Sequence, residues 1–308
     1  MKKTKLQNYV LTHAHIVVNE RKEYLDGTLV VRNGCIADLL PQSRALKEEY
    51  ADLPVLDLKG HAILPLDHAV MLKYTPELSE DELAAQGIGS YDLLLEQDIR
   101  FSLARLREQK ERFAHCEGVI VRVSAKEVPE YLYEKEISAF LLAPEEAYAG
   151  LLDTIRTAGK KILFADSERT FDVEESIPED VVFAELLKNG QLGTEKRHLL
   201  NLAFDQEENY KIFRPEENNM HLLKLVTGHF YRDRVILDLS AVSKQTALQT
   251  LRKARIPYRQ IAGYLSCNAK RCFQRDELTL QKGRKAGFYC VSDDGRVLFA
   301  VREGVCYR

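Results

Sequence analysis

The chain has 308 residues, 45% of them hydrophobic and 30% charged, with a net charge of −3; it can bury a core large enough for one barrel or two domains. The near-neutral balance gives no basic footprint for nucleic acid, no apolar run reaches membrane-spanning length, and the start MKKTKLQNYVLTHAHIVV lacks the apolar centre of a secretion signal. The six cysteines, at 35, 116, 267, 272, 290 and 306, form no C-x-x-C, which points to free thiols in a reducing cytoplasm rather than a zinc site or a disulfide framework.

Residues 8–65 read as β throughout. The stretch 9–18 is a strand, and 28–32 pairs with 35–39 across Asn33-Gly34, a tight hairpin turn. Strands 55–58 and 62–64 flank Gly60. His13-Ala14-His15 has the spacing of a metal-binding pair, but it lies within the first strand and reads as a strand edge. Residues 71–85 are acidic and read as helical, and 98–113 form an amphipathic helix whose charges make a solvated face. A strand follows at 118–123. The clearest unit is 140–170, FLLAPEEAYAGLLDTIRTAGKKILFADSERT. An apolar run ends at Ala143-Pro144-Glu145, and Leu151, Leu152, Ile155 and Ala158 recur at helical spacing. Gly159 closes that helix, and a strand resumes at 162–164. This is a parallel βαβ crossover. Residues 168–192 are acidic, with a short apolar run at 181–187 that reads as helix and loop. A helix spans 244–253, and strands 287–291 and 297–302 flank Asp293-Asp294-Gly295, another hairpin turn.

Several of these stretches resemble the N-acetylglucosamine-6-phosphate deacetylases of the amidohydrolase superfamily. DGTLVVRNGCIADLLP at 26–41 and VLDLKGHAILP at 55–65 resemble the family's amino-terminal β-sandwich. QGIGSY at 86–91 resembles its H-G-V-T-S-F, and Ala143-Pro144-Glu145 its A-P-E. RHLLNLAF at 197–204 resembles the T-H-L-F-N-A-M that ends the sixth barrel strand. Arg214-Pro215-Glu216 echoes R-E-P-G, and Asn218-Asn219-Met220-His221 echoes D-G-x-H. DRVILDLSAV at 233–242 resembles the eighth strand, D-R-V-V-L-V-T-D-A-M, and 264–271 the family's S-x-N-P-A-R. The resemblance implies an α/β protein: a (β/α)8-type TIM barrel, complete or short of a strand, over 65–272. The seventh strand is expected to be reduced or missing. A small β-sandwich would be formed by both chain ends, 1–64 and 273–308. A cytoplasmic homodimer that binds neither nucleic acid nor membrane is the family expectation.

The same resemblance locates the chemistry. The family holds a divalent metal with one glutamate and two histidines and uses an aspartate of the eighth strand as general base. Such a metal supplies hydroxide near neutral pH and needs about three protein ligands. Aligned from Gly118, the glutamate position carries Arg122; the G-H-S histidine is Asp166, within Ala165-Asp166-Ser167; the second histidine stands as His198. The family's L-P-G-F-I-D-x-H-x-H reads here as a shortened Leu64-Pro65-Leu66-Asp67-His68-Ala69. The catalytic aspartate falls on Ser240, with Asp238 two residues earlier available if the register slips. Arg122 would put a second cation where the metal belongs, a repulsion of order 4 kcal/mol at ~4 Å and an effective dielectric near 20. Arg122 and Asp166 are expected to pair at the barrel mouth near His198. The phosphate-gripping positions match at Asn201, Arg214 and His221, and an arginine fork suits phosphate. Three readings follow. The first is a homologue that has lost deacetylation and, with no cofactor, binds an amino-sugar phosphate or a protein partner and acts in regulation or assembly. The second is an active hydrolase of amide C–N bonds, with zinc held by Asp67, His68, Asp166 and His198. The third is a structural subunit without a ligand.

Overall fold

A computed structural model of the chain describes residues 2–42, 44–165, 177–186, 208–213, 233–238 and 243–308. Six strands come first: β1 (Lys3–Lys5), β2 (Tyr9–Val17), β3 (Glu23–Arg32), β4 (Cys35–Pro41), β5 (Val55–Asp57) and β6 (Ala62–Pro65). Strands and helices then alternate as β7 (Asp67–Lys73), α1 (Glu80–Ala85), β8 (Ile88–Leu95), α2 (Ile99–Glu108), β9 (Cys116–Arg122), α3 (Val128–Tyr131), β10 (Ile137–Leu142), α4 (Ala149–Thr157) and β11 (Lys161–Phe164). The short strands β12 (Val181–Leu186), β13 (Lys211–Phe213) and β14 (Val235–Leu237) follow, then α5 (Lys244–Lys253), α6 (Tyr258–Ala262), a π-helical turn at Gly263–Cys267, and α7 (Asn268–Cys272). The chain closes with β15 (Gly287–Val291), β16 (Val297–Arg302) and β17 (Val305–Tyr307).

Both chain ends build one mixed sheet, in the order β1-β17-β16-β15-β6-β2-β3-β4, with β5 paired to β2. Asn33 and Gly34, at φ 53° and 72°, make the left-handed turn that joins β3 to β4. The sheet curls so that the β4 end meets the segment before β15, where Ile36 N–H donates to Arg284 O at 2.8 Å. Leu11, Ile16, Leu29, Val31, Ile63, Phe288 and Val301 fill the space inside, which gives the sheet the layered core of a sandwich.

Eight parallel strands form the second sheet, β7 through β14 in sequence order. Their apolar runs are nearly continuous because both faces are buried. Val119, Phe140, Ile162, Phe183, Val235 and their neighbours pack outward against Leu103 of α2, Ile155 of α4 and Leu248 of α5. Residues one step along face inward: Leu94, Ile120, Leu141, Leu163, Val182, Ile212 and Ile236 form a separate apolar layer inside the barrel. β14 and β7 are not hydrogen-bonded to one another. The π-helical turn and α7 lie across that seam, in contact with both strands. Asn268 Nδ2 donates to Val235 O at 2.6 Å, while Ala269 and Cys272 join the inner layer. The barrel is thus nearly closed, and helix completes it.

The seventh strand is reduced, as expected: β13 has only three residues. Two other sequence expectations are corrected, and a third falls outside the described residues. The run at 181–187 is not helix and loop: β12 there is the sixth strand, paired with β11 and β13. The segment 197–204, expected to end the sixth strand, lies outside the described residues. Residues 71–73, expected to be helical, finish β7.

Gly87, just ahead of β8, has φ +80°, and a Cβ there would sit 2.7 Å from the Tyr289 ring and from Lys244 Nζ. Both the backbone and the space require glycine. Gly87→Ala is expected to cost about 2–4 kcal/mol, read as a lower urea midpoint; an unchanged midpoint would mean that the junction between the two sheets is looser than described.

Candidate functional site

The two ends of the barrel are both polar, for different reasons. Stepping back by two along the inward rows leads from Leu94 to Asp92 and Ser90 and from Ile120 to Gly118; His68, near the start of β7, joins this end. These residues form the floor, at the amino-terminal ends of the strands. His68 Nδ1 lies 2.8 Å from Ser90 Oγ, and Nε2 lies 2.8 Å from Asp92 Oδ2. Arg275 reaches in with Nη1 2.7 Å and Nη2 2.6 Å from the two Asp92 oxygens. A Cβ on Gly118 would lie 2.6 Å from Arg275 Nη2, so this glycine leaves room for the guanidinium. Lys270 and Glu117 form a neighbouring pair. Burial opposes charge on Asp92, but His68 and Arg275 outweigh it and hold the carboxyl below its usual range. Burial drives His68 below the usual histidine range.

Asp67 belongs to the same end. It is buried with Lys244, whose Nζ lies 2.7 Å from its Oδ2 and 3.5 Å from the centre of the Tyr289 ring. The Tyr289 hydroxyl donates to Asp67 Oδ1 at 3.2 Å. Burial pushes the Asp67 carboxyl up to about 6 against the pull of Lys244, and pushes Lys244 below its ordinary value. The pair ties β7 to α5 and to β15. Asp67 and His68 therefore stand at the floor, each with partners of its own. β7 runs on from them to Lys73.

The other end is the face where barrels of this kind carry chemistry. Stepping forward by two along the inward rows leads from Leu94 to Glu96, from Ile120 to Arg122 and from Ile236 to Asp238. Arg122 Nε lies 3.0 Å from Glu96 Oε1, and its Nη2 is paired with Glu185. Simple alternation would turn Glu185 outward, since Val182 and Ala184 face in. A register shift between Phe183 and Leu186 and a left-handed φ of 56° at Glu185 turn it toward Arg122 instead. Lys73, the last residue of β7, adds a cation 3.6 Å from Glu96. The result is an ion-pair chain across strands β7, β8, β9 and β12: Lys73, Glu96, Arg122, Glu185. A cleft of about 670 Å³ opens beside it, lined by Glu96, Phe101, Arg122, Ser124, Leu141 and Ala165 among others. Arg122 keeps 30% of its side chain exposed to it, whereas Glu185 is fully buried.

Of the residues expected to carry chemistry, Arg122 is at this mouth, and Asp238 follows β14 there, fully buried. Asp166, His198, Asn201, Arg214, His221 and Ser240 lie outside the described residues, so the expected pairing of Arg122 with Asp166 does too. Sequence reading missed Glu96, Glu185 and Lys73. The signal for Glu96 was a carboxylate two residues beyond an inward leucine; Glu185 had none, because its bulge reverses the alternation. Elsewhere, Glu20, Cys267 and Glu277 bring three potential metal ligands within 4.8 Å of one another. Arg271 already bridges the two carboxylates, at 2.6 Å from Glu20 and 3.0 Å from Glu277. Burial pushes the Cys267 thiol up to about 12. His13 and His15 each face a carboxylate, Asp57 and Glu23, at 3.2 and 2.8 Å. No helix among the described residues is long and apolar enough to cross a membrane.

No family model and no curated protein matches the chain by sequence. Solved structures do match by fold. A variant of N-acetyl-D-glucosamine-6-phosphate deacetylase from Mycobacterium smegmatis, in complex with N-acetyl-D-glucosamine-6-phosphate, aligns over 97% of this chain and 98% of its own, with a TM-score of 0.74 and 12% identity. N-acetylglucosamine-6-phosphate deacetylase from Pasteurella multocida aligns over 96% and 98%, at 0.72 and 13%. A dihydroorotase aligns over 96% and 97%, at 0.66 and 14%. The fold is that of these hydrolases, a TIM barrel with an additional β domain.

The floor pair gives a direct test of packing against charge. Lys244→Met is expected to cost about 3–5 kcal/mol, because Asp67 is left buried and unpaired. Adding Asp67→Asn should recover most of that loss in urea denaturation. Strictly additive losses would show that the two groups do not act as a pair.

Proposed function

We propose that this protein keeps the deacetylase fold and binds an amino-sugar phosphate in a regulatory role, without metal-dependent deacetylation. One observation carries the reading: Arg122 ends β9 at the chemical face of the barrel, paired with Glu96 and with the buried Glu185. The deacetylase-like fold implies a divalent metal at this face. The described residues around Arg122 do not fit one, because Glu96 and Glu185 already hold its guanidinium. Lys73 beside Glu96 adds a further positive charge. A dication next to Arg122 would meet repulsion of order 4 kcal/mol or more per unit charge at ~4 Å and an effective dielectric near 20.

Binding needs none of that chemistry. Asn201, Arg214 and His221 match the family's phosphate-gripping positions in sequence, and we assign them that role here. Ser240 stands at the position of the family's general base and cannot take a proton at neutral pH as a carboxylate can. Asp238 faces the barrel interior by its parity with Ile236.

The expected outcome is a purified protein without stoichiometric divalent metal, releasing no acetate from N-acetylglucosamine 6-phosphate, yet stabilised against heat by that sugar phosphate. One equivalent of zinc, with acetate release abolished by His198→Ala, would overturn the reading in favour of an active hydrolase. No thermal shift with the sugar phosphate would favour a structural subunit.

A further inference from the structure

We infer that the outer edge of β5 is a self-association surface, where a second copy of this chain adds its own β5 antiparallel and extends the mixed sheet across a two-fold axis. The contact lies on the β domain rather than at the barrel mouth, and it is independent of the sugar-phosphate reading.

β5 pairs with β2 alone. Val10 N–H donates to Pro54 O and Leu58 N–H to Thr12 O, both at 2.9 Å, so residues 54, 56 and 58 turn their backbone groups toward β2. By alternation, the N–H and C=O groups of Val55 and Asp57 point the other way. Among the described residues no strand and no backbone hydrogen bond meets them. Such an edge is a template for another strand. Its side chains are apolar as well: Val55 is 58% and Leu56 43% exposed. The register sets Val55 beside Val10 and Leu56 beside Leu11. Leu56 therefore extends the layer that holds Leu11 and Leu58 inside the sandwich, and Val55 extends the layer of Val10, Tyr50 and Leu53 on the opposite face. Both apolar layers run out to solvent at this edge.

The edge is complementary to itself. A two-fold axis perpendicular to the sheet at Leu56 makes an antiparallel pair in which Val55 exchanges backbone bonds with Asp57 of the second copy. Leu56 then packs directly against Leu56 of the second copy. The Asp57 carboxylate does not interfere, because it accepts the Lys59 N–H of its own chain at 2.8 Å and faces His13 at 3.2 Å. The charges agree with this register. Asp52 is exposed just before the strand and Lys59 just after it, so antiparallel pairing brings Asp52 of each copy toward Lys59 of the other. A parallel pairing would set like charge against like. β5 is only three residues long, and so small a contact belongs to the weak class, with a Kd of order 10–100 µM.

Sedimentation equilibrium of the full-length chain, carried to several hundred micromolar, tests this, with thermal melts to confirm that each variant folds. The wild type is expected to dimerise. Leu56→Glu places two carboxylates directly opposite one another and should abolish the dimer. Asp52→Lys and Lys59→Asp should each weaken it about tenfold, since the symmetry repeats every changed pair, and the two substitutions together should restore it. This charge swap keeps the test decisive if Leu56→Glu fails to fold. A wild type that stays monomeric, a dimer indifferent to a folded Leu56→Glu, or charge reversals without effect or without rescue would each overturn the inference.

Discussion

A barrel strand buried on both faces has no outlet for a charge except at its two ends, because an unpaired ion within costs several kcal/mol. The inward rows obey this constraint. Leu94, Ile120, Leu163 and Ile236 keep the middle apolar, and the charges sit two residues before or after them. Everything that distinguishes the molecule follows from how each end neutralises its charges. The floor uses Arg275 on Asp92, Lys270 on Glu117 and Lys244 on Asp67. The mouth uses Arg122 on Glu96 and Glu185.

The two ends differ in what supplies the cation. The cations paired with the floor carboxylates Asp67, Glu117 and Asp92 all come from the part of the chain after the eighth strand: Lys244 from α5, Lys270 from α7 and Arg275 just beyond it. That part also crosses the seam between β14 and β7 and returns the chain to the mixed sheet. Neutralising the floor and closing the barrel are therefore one structural act, and the buried Asp67–Lys244–Tyr289 group links the two sheets. At the mouth the cation belongs to a barrel strand itself. It is partly exposed to a cleft, and one of its partners is held by a distorted backbone. A rigid base and an accessible, charge-balanced mouth are the division of labour that barrels of this kind use for binding.

Much of the fold was legible in the sequence, because its signals are local. Asn33-Gly34 and Asp293-Asp294-Gly295 marked hairpins that the structure contains, and 140–170 read as strand, helix and strand. The short strands were harder. β12 reads VVFAEL, where the glutamate breaks the apolar run, and β13 is three residues long; neither outweighs the acidic surroundings in which it lies. At the mouth, Arg122 was identified through resemblance alone. Its described partners could not be, since pairing Glu96 with Arg122 requires knowing which face of β8 points inward, and Glu185 violates the alternation that would have told. Asp67 and His68 misled for the opposite reason. They begin a strand that continues, through a register shift and a left-handed Met71, to Lys73, and this leaves them at the floor.

The central claim is that a guanidinium, not a metal, neutralises the carboxylates at the chemical face of the barrel. Crystals of the wild-type protein grown in excess zinc, with data collected on both sides of the zinc absorption edge, test it most directly. The account predicts Arg122 lying between Glu96 and Glu185, with no anomalous peak between those carboxylates. A zinc peak ligated by Glu96 or Glu185, with the Arg122 side chain turned away, would contradict it.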